Sequence, residues 1–209
     1  GLEYAQMSSY ILSSTTSTKK KSGIKSGQRY IIYSRGSSKY LIAGTNKVAN
    51  ATLSTLKQGM SISKEYVWCF ERAGTDKYYI GTADALSEGQ TSYYIANPTS
   101  SSSAALGANK SVSFTAADRN SYISFQSSGS GNNRYLSSSG STVGGQRNNT
   151  SNAALFELYP VTKQESAAYD VSIPVRTINQ ATGQAEDVEQ INRNDFINAV
   201  VKVSYSKNQ

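Results

Sequence analysis

The sequence contains few of the residues that usually carry catalysis. It has no histidine and a single cysteine, Cys69. Without histidine the chain lacks the usual general base, the usual zinc ligand and every Ser-His or Cys-His nucleophile pair. Cys69 stands in the string VWCF (67–70), which favours a small buried residue over a metal ligand. We therefore expect no metal and no cofactor.

Carboxylates could still act as a general acid and base without histidine, as they do in glycoside hydrolases. The acidic residues of the central region are scattered, and most adjoin Lys, Arg or turn residues: Glu65, Glu71, Asp76, Asp84, Glu88, Asp118 and Glu157. Surface pairing is the ordinary fate of such residues, and no Asp-x-Asp-x-Asp calcium loop is present. We expect a binding protein and not an enzyme.

Tyrosines and planar amides are the residue types in this chain best suited to binding. There are 15 Tyr against five Phe and one Trp. Carbohydrate recognition needs an aromatic face for the apolar side of a sugar ring, and amides or carboxylates for its hydroxyls. The predicted ligand-binding residues are Tyr33, Asn46, Tyr79, Tyr94, Asn97, Gln146 and Asn148. The alternative for each Asn is a turn position that requires its backbone conformation.

The formal net charge of +7 raises the question of nucleic-acid binding, in which neutralised phosphates provide most of the affinity. The densest basic run is Lys19-Lys20-Lys21, within a stretch rich in Ser and Thr. Short lysine runs of this kind are usually solvated, so we expect no nucleic-acid partner.

Short segments with matching aromatic positions recur along residues 27–162. Opening strands are predicted at 29–32 (RYII), 77–80 (KYYI) and 121–124 (SYIS), and second strands at 39–42 (KYLI), 92–95 (SYYI) and 134–137 (RYLS). Closing strands are predicted at 67–70 (VWCF), 111–114 (SVSF) and 153–156 (AALF), and the remaining strands at 52–54, 105–107 and 142–144. Turn residues separate them, as in hairpins. The pattern predicts three units of four strands, each of about 44 residues.

A threefold array of four short strands resembles the β-trefoil, in which six strands form a barrel and three hairpins cap one end. The resemblance implies that Trp68 and the phenylalanines of the closing strands, Phe70, Phe114 and Phe156, fill the barrel core. Ricin-type lectins resemble this domain in fold, but their Gln-x-Trp signature is missing, because Tyr66 stands two residues before Trp68. Their sugar-site residues therefore cannot be transferred.

The two chain ends lie outside the predicted trefoil. Residues 1–26 are predicted to hold one strand, at 2–12, followed by a flexible polar linker at 13–26. In residues 163–209, strands are predicted at 169–175 and 197–205, with a helical turn or a loop at 185–192. Residues 163–209 would form a small β module, a sheet or sandwich fragment, by pairing with residues 1–12.

Residues 188–196 (VEQINRNDF) and the strand after them resemble the end of fimbrillin-type subunits of anaerobic gut and oral bacteria, where an Arg-Asn pair leads into the final strand. The resemblance implies assembly with other pilus subunits by strand addition. Because the first residue is Gly and not Met, we expect that an export signal has been removed.

Taken together, the sequence predicts an all-β adhesin or fimbrial-tip-like protein, exported to the bacterial cell surface, whose trefoil binds a glycan or glycoprotein. The alternative is a structural or protein-docking trefoil without a sugar site, since trefoils serve both roles.

Overall fold

The computed structural model describes residues 4–85, 92–129, 133–169, 175–178 and 185–188. Within these ranges the protein is all-β, with fifteen strands, three short 3-10 turns and no α-helix. The strands are β1 (Tyr4–Leu12), β2 (Arg29–Ser34), β3 (Tyr40–Ala43), β4 (Val48–Ala51), β5 (Trp68–Gly74), β6 (Lys77–Thr82), β7 (Tyr94–Ile95), β8 (Leu106–Gly107), β9 (Phe114–Arg119), β10 (Tyr122–Ser127), β11 (Tyr135–Ser139), β12 (Thr142–Gln146), β13 (Phe156–Tyr169), β14 (Val175–Ile178) and β15 (Ala185–Val188). No helix in the described ranges is long and apolar enough to cross a membrane.

Six strands close into an antiparallel ring. β2 pairs with β5, β5 with β6, β6 with β9, β9 with β10, β10 with β13, and β13 returns to β2. Three hairpins extend from this ring: β3–β4 from β2, β7–β8 from β6, and β11–β12 from β10. Closure leaves the ring without a free edge on which another chain could pair.

The predicted opening and second strands are confirmed as β2, β6 and β10 and as β3, β7 and β11. The strand predicted at residues 52–54 is wrong. The backbone amide of Gly44 donates to the carbonyl of Lys47 at 2.9 Å, which closes a tight turn directly after β3. The returning strand β4 therefore starts at once, with Val48 opposite Ala43.

The pairing register corrects the predicted alignment of the repeats. The second strands meet the opening strands at Tyr33 with Tyr40, Gly81 with Tyr94, and Gln126 with Tyr135. Three residues before these paired positions stand Tyr30, Tyr78 and Ile123. Ile123, and not Tyr122, is therefore the counterpart of Tyr30 and Tyr78. Both of those tyrosines are buried, as is Ile123.

The closing strands are also shifted relative to one another. Trp68 lies opposite Tyr30, Phe114 opposite Tyr78, and Phe156 opposite Ile123. Trp68 is therefore the counterpart of Phe114 and Phe156, a place that the sequence comparison gave to Phe70. The β5–β6 hairpin contains a register shift between Arg72 and Gly74, and this extra residue obscures the alignment when only the sequence is compared.

The ring interior holds two stacked levels of side chains. One contains Trp68, Phe114 and Phe156, and the next pairs Phe70 with Ile80, Ala116 with Phe125, and Leu158 with Ile32. The small Ala116 faces the large Phe125, so that bulk and space alternate as close packing requires. The predicted burial of Trp68, Phe70, Phe114 and Phe156 is confirmed, because all four are fully buried.

Residues 13–26 are not the solvated linker that their polar composition predicts. Thr18 exchanges two backbone hydrogen bonds with Leu158 on β13. Ile24 is buried in the same cluster as the ring interior, and its carbonyl accepts a hydrogen bond from the Tyr78 hydroxyl at 3.4 Å. The segment thus covers the end of the ring where the opening strands begin, because apolar side chains there would otherwise face water.

The chain divides into two compact units, Met7–Ser166, and Gly1–Gln6 with Ala167–Gln209. In the strand order, β1 is the neighbour of β13. The strand predicted at residues 2–12 is present as β1.

The helical turn or loop predicted at 185–192 is wrong for Ala185–Val188, which pairs with Val175–Ile178, because cross-strand pairing overrides weak local preference. The strand predicted at 197–205 and most of that at 169–175 lie outside the described residues, and the domain boundaries stay predictions.

Gly144 on β12 provides a test of how the hairpins pack. A side chain there would come within 2.4–2.5 Å of backbone atoms of Ser100 and Ser101. We expect Gly144→Ala to lower the free energy of unfolding by about 1–3 kcal/mol through overpacking. The matched control is Gly107→Ala on β8, where nothing lies within 4 Å of the added carbon. Urea denaturation followed by Trp68 fluorescence measures both, and equal stabilities of the two variants would contradict this packing.

Candidate functional site

The seven predicted binding residues do not gather in one place, and several are occupied by contacts within the protein. Tyr33 packs edge-to-face on Tyr40, with ring centroids 5.0 Å apart. Tyr94 is only 8% exposed, so the expectation that its ring faces solvent is wrong. Neighbouring residues of a strand point to opposite faces, and Tyr94 is the member of the Tyr93-Tyr94 pair that turns inward.

The predicted amides of the second and third hairpins make internal bonds. Asn97 Oδ1 accepts a hydrogen bond from the Ser127 hydroxyl at 2.6 Å. Asn148 Oδ1 accepts from the backbone amide and the hydroxyl of Thr150, at 3.2 and 2.6 Å, which is a local turn of the kind Asn forms with its own backbone. Gln146 is partly buried and lies opposite Tyr135 in the β11–β12 hairpin. These contacts favour the turn interpretation for Asn148.

Two predicted residues, Tyr79 and Tyr94, do come together, but around a lysine of the same chain. Lys110 Nζ lies 5.8 Å from the centroid of each ring. It is also 2.8 Å from both carboxylate oxygens of Glu71. The hydrogen bond that Lys110 donates to Glu71 is the main cause that raises the pKa of the Lys110 amine. The two rings and the carboxylate therefore hold an internal ammonium group, and Lys110 covers the face that a ligand would use.

Tyr93 is the binding candidate that the sequence comparison missed. Tyr93 is 45% exposed, and it is the only exposed large hydrophobic residue among those whose side chains the structure describes. Its backbone exchanges two hydrogen bonds with Thr82: the amide of Tyr93 donates to the Thr82 hydroxyl at 3.0 Å, and its carbonyl accepts from the Thr82 amide at 2.8 Å. The ring is therefore carried by a fixed backbone.

The hairpin register could have identified Tyr93. Lys39 and Arg134 hold the same position before the paired tyrosines Tyr40 and Tyr135. Their carbonyls also accept the amides of Ser34 and Ser127, as that of Tyr93 accepts the amide of Thr82. Lys39 and Arg134, two of the three equivalent residues, have long polar side chains, which indicates that this position faces outward. Tyr93 is the third residue and the aromatic one.

Tyr93 borders two clefts. The first, of about 230 Å³, is lined by Gly44, Thr45, Asn46, Tyr93 and Leu106. Asn46 adopts a left-handed backbone, with φ of 64°, and its carbonyl accepts the amide of Leu106 at 3.0 Å. This bond ties the turn of the first hairpin to the second hairpin. Of the seven predicted residues, Asn46 alone lines this cleft, and it is exposed.

The second cleft that Tyr93 borders has a volume of about 400 Å³. It is lined by Ala43, Lys64, Glu65, Thr82, Ala83, Asp84 and Tyr93. Its charged residues are Lys64 and Glu65 from the 3-10 turn Lys64–Tyr66 and Asp84 from the turn that follows β6. Carboxylates, an amine and hydroxyls thus flank one exposed aromatic ring, which is a set that can hydrogen-bond a polyhydroxylated ligand.

Asp84 is fixed at the floor of the second cleft. Tyr10 donates a hydrogen bond to Asp84 Oδ1 at 2.9 Å, and Lys64 forms an ion pair with Oδ2. Burial acts to raise the pKa of this carboxyl, but the hydrogen bonds from Lys64 and Tyr10 and the nearby positive charges outweigh burial, so that the pKa lies below its ordinary value of 3.8. Asp84 is therefore ionised at neutral pH. In the described part of the chain no group of three or more Cys, Asp or Glu side chains could hold a metal ion.

Comparisons with known proteins give no family. No protein-family model matches the sequence, and no curated protein matches it. Among solved structures, the chain is similar to a GlcNAcα1-4Gal-releasing endo-β-galactosidase from Clostridium perfringens, with 18% identity and a TM-score of 0.48 over 65% of this chain and 33% of that one.

A second similar structure is the Polyporus squamosus lectin bound to the human-type influenza-binding epitope Neu5Acα2-6Galβ1-4GlcNAc, with 17% identity and a TM-score of 0.47. The match covers 66% of this chain and 50% of that lectin. The chain thus spans a third and half of the lengths of these two proteins.

The Asp84 contacts predict a pH-dependent stability difference. A carboxyl with a lowered native pKa stabilises the fold above its unfolded pKa, and this contribution is lost as the pH falls through the native value. We expect Asp84→Asn to be less stable than the wild type by about 1–3 kcal/mol at pH 7, with the difference closing as the pH falls below 3.8. Urea denaturation at pH 7, 5 and 3 measures it. Tyr10→Phe, which removes one hydrogen bond and keeps the ring, should lose less at pH 7. A difference as large at pH 3 as at pH 7 would contradict the arrangement.

Proposed function

We propose that residues 27–162 form a β-trefoil of three repeats that binds carbohydrate, with Tyr93 as the aromatic platform. The closed ring of six strands, which carries one hairpin on each of β2, β6 and β10, supports the trefoil. The equivalent registers at Tyr40, Tyr94 and Tyr135 support the threefold repeat.

The exposure of Tyr93 beside two clefts that contain polar side chains is the observation that carries the proposal. A sugar ring has one apolar face of C–H groups and a rim of hydroxyls. A phenol ring offers an apolar surface whose hydroxyl also stays available. Asn46 and Thr45 on one side and Glu65 on the other supply acceptors and donors for the rim. The backbone bonds to Thr82 hold the platform in place before the ligand arrives, which lowers the entropy cost of binding.

We propose that the protein binds carbohydrate without hydrolysing it. A glycosidase needs one carboxyl with a raised pKa as its general acid and a second one as base or nucleophile. The second cleft does contain two carboxylates, Glu65 and Asp84. Asp84, however, has a lowered pKa and is held by Lys64 and Tyr10. This environment suits a fixed acceptor and is unfavourable for a general acid.

We further propose that the protein acts at the bacterial cell surface as an adhesin whose partner is a glycan or glycoprotein. This role and the assembly with pilus subunits rest on the sequence resemblance at residues 188–205, almost all of which lies outside the described residues. They therefore stay predictions.

A glycan-array screen of the full chain, followed by titration of each hit, tests carbohydrate binding. We expect Tyr93→Ala to weaken the affinity for a hit about tenfold or more, as truncation of a central aromatic anchor does. Tyr93→Phe should retain most of the affinity, because the ring is kept. Lys39→Ala, at the equivalent position of the first hairpin, is the matched control and should bind like the wild type.

A blank array, or hits that Tyr93→Ala leaves unchanged, would overturn the site. Capture of a surface protein that persists after enzymatic deglycosylation of that protein would instead favour protein docking.

A further inference from the structure

The two clefts beside Tyr93 lie side by side along one groove. Tyr93 lines both of them, and Ala43 of the second cleft is adjacent in sequence to Gly44 of the first. Ligand sites for small molecules usually have volumes of roughly 300–1,000 Å³. The first cleft, at about 230 Å³, falls below that range and the second, at about 400 Å³, lies near its lower end. Only the two together reach the middle of the range.

We propose that the ligand is a neutral oligosaccharide of at least two rings that crosses Tyr93, with one ring in each cleft. This inference rests on the proposed carbohydrate function and specifies its substrate class. The residues of the first cleft are uncharged, and Thr45 and Asn46 provide a hydroxyl and an amide there. One sugar ring would therefore contact the uncharged donors and acceptors of the first cleft, and the next ring would contact the charged side chains of the second cleft.

The charges of the second cleft select against an acidic sugar. Lys64 forms an ion pair with Asp84, so its positive charge is already matched. Lys163 adds a further positive charge that acts on Asp84, and Glu65 is exposed in the same cleft, so the carboxylate that an incoming group meets there is that of Glu65. A sialic or uronic acid carboxylate placed there would face like charge, which is unfavourable at short range although the whole chain carries +7. Sugar hydroxyls, in contrast, can donate to both oxygens of Glu65.

Tyr93 can serve two rings because it lines both clefts. Its backbone is held by Thr82 at 3.0 and 2.8 Å, so the point from which the ring extends is fixed before either cleft is filled. The first cleft is likewise preformed, since the Asn46 carbonyl holds the Leu106 amide. Preformed adjacent subsites on a rigid support make the second ring add affinity without a second ordering cost.

The test uses the full chain and neutral oligosaccharides of one, two, three and four units, built from glucose, galactose, mannose or N-acetylglucosamine. Each series is titrated by calorimetry, together with the same chains that end in sialic acid or glucuronic acid. For the series that binds, we expect about tenfold tighter binding from one unit to two, and less than threefold from each further unit. The acid-capped chains should bind more weakly than the neutral ones.

Two variants assign the subsites. Asn46→Gly removes the amide and keeps the left-handed backbone, and Glu65→Gln changes the charge of the second cleft with little change in shape. A single ring occupies the better of the two subsites. The variant in that subsite should therefore lower the affinity for both the monosaccharide and the disaccharide, and the variant in the other subsite should lower the affinity for the disaccharide alone. Thermal denaturation verifies that both variants are folded.

The outcomes separate the two proposals. A monosaccharide that binds as tightly as the longer chains, or a protein that binds only acid-capped chains, would overturn the two-ring neutral ligand and leave carbohydrate binding intact. Variants that change neither affinity would also overturn it. No binding to any member of any series, together with a blank array, would overturn carbohydrate binding itself and this inference with it.

Discussion

Closure of the ring is the constraint on which the rest of the structure depends. β13 leaves β10 at Phe156 and then pairs with β2 over six residues, so the last ring strand holds the first one. The fully buried Trp68, Phe114 and Phe156 can pack against one another only if all six strands are in place. Each hairpin pairs with one ring strand, and the first cleft beside Tyr93 is lined by residues of the first and second hairpins. A fault in the ring register would therefore move the clefts as well.

The sequence predicted the opening and second strands well because their signals are local, whereas two of the predicted closing strands begin only at their last residues, Phe114 and Phe156. Tyr, Ile and Leu in short alternating runs, separated by Gly, Ser and Asn, mark a hairpin without knowledge of its neighbours. The phase between units was harder, since one extra residue in the β5–β6 hairpin displaces Phe70 from the level of Phe114. The second hairpin was misaligned separately, because the sequence placed Tyr93 beside Tyr40 and Tyr135, whereas the register gives that position to Tyr94 and leaves Tyr93 exposed.

The candidate site was predicted only in part, because its walls come from distant parts of the chain. Asn46 and Leu106 are joined by a backbone hydrogen bond, and Asp84 reaches Tyr10 across 74 positions. Nothing in the amino-acid types of these residues indicates such partners. The prediction of a flexible linker at residues 13–26 was wrong for the same reason. The composition of this segment is that of a linker, and its backbone bonds to Leu158 on β13 cannot be read from composition.

The residues at the three equivalent hairpin positions differ, and for the proposed glycan binding this difference bears on the valency of the molecule. Lys39 and Arg134 direct their side chains to backbone carbonyls of Gly140 and Gly145, while Tyr93 alone presents an aromatic ring at that position. In the proposed function, the residues that the structure describes offer one such platform, which would hold one glycan at a time. Firm attachment to a surface would come from avidity, with many copies displayed together, in which linked weak contacts multiply the residence time without any change in the single site.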